Sequence, residues 1–140
     1  MNRSQTSIHR SRLAKQLVYL DEQVPFLLDN YPSHLKMRMR DSIAQYVKKM
    51  VTLLELDDAN LANSLSEITL IGSSVKLCYV DEGTHEVFQV VFPTEIDPDQ
   101  NIISFFSPIG SQLLLRSRGE AFVLRTPEAE YSVQIIESSN

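Results

Sequence analysis

The hydrophobic period of the chain changes near residue 60, which limits it to a helical front half joined to a back half built from strands. Up to Leu56 the apolar residues recur at helical spacing. Leu13, Leu17, Leu20, Val24 and Leu27 follow steps of 4, 3, 4 and 3, and Met39, Ile43, Tyr46, Met50 and Leu53 repeat them. Each set draws one narrow stripe down a helix, so residues 1–56 are expected to form an antiparallel helical hairpin. Asp29-Asn30-Tyr31-Pro32-Ser33 supplies the turn, with Ser33 available as an N-cap for the second helix. Pro25 lies inside the first stripe, where it removes a backbone hydrogen bond and crowds the preceding turn, so a kink or break is expected there.

Residues 57–66 form a connector, in which Asp57-Asp58-Ala59-Asn60 can cap a short helix through Leu65. Residues 67–140 shorten to strand-length pieces. Ser74–Asp81 is rich in strand formers, Glu82-Gly83-Thr84 turns the chain, and His85–Phe92 returns to Pro93. The acidic stretch Thr94–Gln100 is a loop, and Asn101–Phe106 is a brief strand. Ser107 at the N-cap and Pro108 at the first helical position open a short helix through about Leu114. Ala121–Thr126 and Tyr131–Ile136 close the sheet. The fold class is α+β, an N-terminal antiparallel helical hairpin followed by a mainly antiparallel-sheet domain with one short helix.

Charge separates the same two halves. Residues 1–49 carry nine Lys or Arg against four acids, and residues 67–140 carry four against eleven. The basic half can approach nucleic acid or an acidic protein surface, whereas the acidic half repels phosphate. The plain alternative is that both are solvated faces. Lys36, Arg38 and Arg40 stand at alternate positions and spread over more than one helix face, which implies a diffuse field with no readout of base edges. The opening MNRSQTSIHRSR has neither the apolar core nor the cleavage site of a secretory signal, and no apolar stretch approaches the ~20 residues that span a bilayer. Cys78 is the one cysteine, in an apolar run, as expected of a core thiol in a cytoplasmic protein.

Catalytic signatures are lacking. The four glycines, Gly72, Gly83, Gly110 and Gly119, form no phosphate-binding cluster, and no serine stands in a nucleophile elbow. His9, His34 and His85 have no second ligand at helical spacing, so no metal site is expected. Glu95, Asp97 and Asp99 alternate on a loop broken by Pro98 and lack the spacing of a calcium loop. A binding module is therefore expected rather than an enzyme, with no cofactor, no small-molecule substrate and no membrane partner.

Residues 67–137 also carry an ordered set of local motifs: Ile71-Gly72-Ser73-Ser74-Val75-Lys76-Leu77, Asn101-Ile102-Ile103-Ser104, Ser107-Pro108-Ile109-Gly110 with Leu113 and Leu114, Gly119-Glu120, Thr126-Pro127 and Tyr131-Ser132-Val133-Gln134-Ile135-Ile136. In this order and spacing they resemble the C-terminal domain of the bacterial Gre transcript-cleavage factors and the related regulator Rnk. The resemblance implies an FKBP-like fold and docking at the secondary channel of bacterial RNA polymerase. It places the polymerase contact at Ser107, Pro108 and Ile109 and points the helical hairpin into the channel. Phe106, next to that segment, is expected to be exposed and to add a small apolar anchor. It suggests an isomerase only through the fold, and fold alone does not carry function.

The departures from the family pattern narrow the expectation. Gre cleavage factors carry an Asp and a Glu close together at the hairpin tip, which hold a catalytic magnesium in the polymerase site. A hard cation needs several anionic oxygens. Here the tip Leu27–Leu35 holds only Asp29, and Asp21, Glu22 and Asp41 fall on the arms. The arms are also shorter than those of the cleavage factors, as in Rnk. Phe106 stands where those factors have a polar residue, and Leu115 replaces a usual glycine. The expected function is regulation of elongation at the secondary channel, without cleavage stimulation and in competition with Gre cleavage factors, and with non-specific nucleic-acid contact through the basic half. The alternatives are a true cleavage factor and a Gre-like domain used for another protein interaction.

Overall fold

The first stripe lies on one helix, α1 (Arg3–Asp29), and the second on α2 (Ser33–Leu54), in the computed structural model, which describes residues 3–139. All five stripe residues of α2 are buried. The seam on α1 is shifted from the expected one. Leu13, Gln16, Leu20 and Leu28 are buried, whereas Leu17, Val24 and Leu27 are only half-buried. Gln16 enters the seam because the Tyr46 hydroxyl donates a 2.7 Å hydrogen bond to its Oε1. A polar side chain is tolerated inside when its hydrogen bonds are made there.

Of the kink or break expected at Pro25, the break does not occur, because α1 continues through that residue. Pro25 and Asp21 are both exposed, so the backbone bond that the ring removes lies on a solvent-exposed part of the helix. Ser33 is not the cap of α2. Pro32 takes that position with φ −54° and ψ 131°, and Ser33 is already the first helical residue. The far end of the hairpin is tied by Arg10, whose guanidinium donates to the carbonyls of Leu54 (3.0 Å) and Leu56 (2.6 Å) and meets Asp58 at 3.1 Å. A cation suits the negative end of the α2 dipole.

The connector helix α3 (Asp58–Glu67) starts as expected. The Asp57 carboxylate accepts from the Asn60 amide at 2.8 Å, which together with the Asn60 side chain holds its pKa low. The chain divides into two compact units, one ending at Ser64 and the next starting at Leu65.

The second unit is a five-stranded sheet in the order β3-β2-β1-β5-β4. Its strands are β1 (Ser74–Tyr79), β2 (Thr84–Val91), β3 (Ile102–Ser104), β4 (Ala121–Arg125) and β5 (Glu130–Ser139). Three of the strand pairings are antiparallel, while β3 runs parallel to β2 from Gln89↔Ile102 to Val91↔Ser104. The brief strand expected at Asn101–Phe106 is thus trimmed to three residues and placed at an edge. Val75 faces Phe88, Leu77 faces Ile135, and all four are buried. Burying each such side chain contributes about 1.5–3 kcal/mol. The short helix α4 (Pro108–Leu113) packs Leu113 into this core.

Candidate functional site

The four residues expected to bind a partner, Phe106, Ser107, Pro108 and Ile109, form the corner between β3 and α4. Ser107 caps α4, accepting from the Gly110 amide at 3.0 Å while donating to the Ser104 carbonyl at 2.7 Å. The Ser104 hydroxyl in turn accepts from the Phe106 amide at 3.0 Å. Gly110 allows this closeness, because a Cβ there would overlap the Ser104 carbonyl oxygen. The corner is therefore a stiff, locally bonded turn. It exposes Pro108 to solvent and leaves Ser107 and Ile109 partly exposed.

Phe106 departs from the expectation. It is only partly exposed, since its ring packs edge-on against buried Phe105 at 4.7 Å between centroids, and Phe105 meets Phe92 in the same manner at 6.0 Å. The aromatic row holds the Phe106 ring against the domain and leaves it partly exposed.

Beside Ile109 the sheet forms a cleft of about 470 Å³ that spacing alone did not reveal. Tyr79 and Tyr131 meet edge-on at 5.6 Å in its lining, which also includes the buried Phe88 and Leu124. The Tyr79 hydroxyl donates to Glu86 Oε1 at 2.5 Å, and the Asn101 side-chain amide donates to Oε2 at 3.1 Å. Burial, reinforced by that carboxylate, pushes the Tyr79 phenol far above its ordinary value and keeps it a donor. Asn101 reaches Glu86 from a left-handed residue with φ 57°, a conformation that asparagine tolerates well. The signal in the sequence was the alternation of Tyr79, Glu86, Phe88 and Tyr131 on one sheet face, which becomes a site only once the strand register is known.

The remaining expected residues belong to the first unit. Asp29 is the exposed last residue of α1, and the turn after it adds no second acid. Lys36, Arg38 and Arg40 fall in the first two turns of α2, Arg38 and Arg40 exposed and Lys36 partly so. Met39 between them is buried in the seam, which keeps the three from forming one cluster. Among the described residues no group of three or more His, Cys, Asp or Glu could hold a metal ion, and no helix is long and apolar enough to cross a membrane.

Comparison with known proteins agrees with this architecture. A solved GreA/GreB elongation factor from Nitrosomonas europaea shares the fold at a TM-score of 0.59 and 20% identity, over 85% of this chain and 91% of that one. Among curated proteins, the elongation factor GreA of Desulfovibrio desulfuricans is 28% identical over 70% of this chain and 59% of its own. GreA of Bacillus cytotoxicus is 35% identical over 51% and 45%, and GreA of Thermosipho africanus 26% over 89% and 97%. The chain thus spans about half the length of the first two relatives. Residues 63–140 match the family described as transcription elongation factor, GreA/GreB, C-term. The matched segment holds the whole sheet, the β3–α4 corner and the cleft, and by it this chain belongs to the GreA/GreB elongation factor family.

Proposed function

We propose that the protein binds bacterial RNA polymerase at its secondary channel and regulates elongation without stimulating transcript cleavage. The observation that carries this is the β3–α4 corner, a rigid turn within the matched GreA/GreB domain that sets Pro108 in solvent beside the partly exposed Phe106 and Ile109. A small apolar anchor on a preorganised turn loses little freedom on docking. The hairpin supplies the second half of the reading. Its tip bears Asp29 alone, and one carboxylate cannot chelate an ion as the pair in cleavage factors does. The protein therefore occupies the channel as a competitor, acting in the cytoplasm, with no catalytic residue or cofactor of its own.

The test uses a backtracked elongation complex. Added alone, the protein should leave the transcript uncleaved, and added with an authentic Gre cleavage factor it should slow cleavage in proportion to its concentration. Robust cleavage by this protein alone would restore the cleavage-factor reading, and no competition at saturation would remove the channel from its function. Phe106→Ala with Pro108→Ala, with folding checked by circular dichroism, should abolish the competition. Undiminished competition would displace the contact from this corner.

A further inference from the structure

We propose that the cleft beside α4 receives an arginine side chain presented by a partner protein. It is lined by the edge-on pair Tyr79–Tyr131 and by three carboxylates, Glu82, Glu86 and Glu128. Among the described residues no lysine or arginine lines it, so those charges line a cleft that holds no basic side chain from them. Glu82 comes from the β1–β2 turn and Glu128 from the β4–β5 turn, both exposed, so two hairpin ends bring acids to one cleft. Glu86 is half-buried and oriented by Tyr79 and Asn101, which occupy one lone pair on each oxygen and leave others for a ligand.

This combination matches a cation with an apolar stem. Aromatic faces attract a cation that carboxylates in the same lining hold. Arginine fits better than lysine, because its planar fork stacks on rings and donates in several directions to separated carboxylates. Ile109 and Leu124 offer apolar wall to the methylene stem. A volume of about 470 Å³ admits such a side chain with part of its backbone. The inference stands apart from the polymerase reading, since it follows from the chemistry of the cleft, and its test contains no polymerase.

The probes are three capped tripeptides, Gly-Arg-Gly, Gly-Lys-Gly and the isosteric neutral Gly-citrulline-Gly, titrated into the full chain at about 0.15 M salt, where long-range fields are screened. Binding is followed by NMR at the Tyr79 and Tyr131 rings. The arginine peptide should shift both rings and bind about tenfold tighter than the citrulline peptide, with lysine between them. Glu82→Gln with Glu128→Gln should weaken the arginine peptide about fivefold, whereas Glu95→Gln, an exposed acid outside the cleft, should leave it unchanged. An unaltered amide spectrum elsewhere shows that the variants are folded. Equal binding of citrulline or lysine, equal loss in Glu95→Gln, or no shift at either ring would overturn the assignment.

Discussion

Leu115 holds φ at 65°, a left-handed conformation that glycine adopts without cost. The backbone keeps it because the Leu115 amide donates to the Thr69 carbonyl at 2.8 Å and the Thr69 amide returns a bond to Arg116 at 3.0 Å. Gly110 is the opposite case, a position where any side chain strikes backbone. Gly110→Ala should lower stability by about 1–3 kcal/mol in a denaturant titration and loosen the corner that carries Pro108. The Ser107-Pro108-Ile109-Gly110 motif contained this glycine without the reason for it, since the constraint comes from Ser104 across the turn. Glu120 illustrates a balance of charge terms. Partial burial works to raise its pKa, but the Ser117 amide at 3.0 Å and Arg116 at 2.7 Å outweigh it, and the net shift is downward from the ordinary 4.5. A carboxyl held low in the folded state stabilises fully above its unfolded pKa, and the contribution disappears as pH falls through the folded value. Glu120→Gln should therefore flatten the loss of stability below about pH 4.5, seen as a smaller drop in Tm on acidification.

The buried stripe of α2 was legible to the residue, because Met39, Ile43, Tyr46, Met50 and Leu53 recur at helical spacing, whereas its N-cap was not. Helix α1 was legible as a helix but not in its rotation. Leu17 and Leu27 compete with Gln16 and Leu28 for the seam, and a count of apolar residues favours the wrong pair. The deciding partner, Tyr46, lies thirty positions away on the other arm. No local pattern contains that information. A buried polar pair in an apolar seam sets register more than it adds stability. Tyr46→Phe should cost about 1 kcal/mol. Tyr46→Phe combined with Gln16→Leu should cost less than the two single changes added together, as a double-mutant cycle by chemical denaturation would show. Among the strands, β1 and β2 were legible because glycine and proline bound them, with Gly83 at φ 71° making the turn. The parallel placement of β3 was not, since three residues carry no signal of their partner.

Across the whole chain, the charge division seen in the sequence makes non-specific nucleic-acid contact an expectation for the basic front half alone, since the acidic back half repels phosphate. Lys36, Arg38 and Arg40 have no shared face from which to read bases. Two duplexes of unrelated sequence should accordingly bind with affinities within about twofold of each other, and both should weaken steeply as salt rises, measured by fluorescence anisotropy. Strong preference for one duplex would contradict this. The family and the corner were legible because short ordered motifs carry them, whereas the cleft needed the register of β1, β2, β4 and β5 together. One further side chain bears on how such molecules coexist at high concentration. Strand β4 is an outer strand, and Gln112 of α4 lies along it, donating from Nε2 to the Arg125 carbonyl at 2.6 Å and accepting at Oε1 from the Arg125 amide at 2.8 Å. An amide side chain thus imitates one rung of a neighbouring strand. Outward-facing backbone groups recur at every second residue, so this plug leaves only Val123 and Ala121 open, a ladder too short to template the growth of a sheet from one copy to the next.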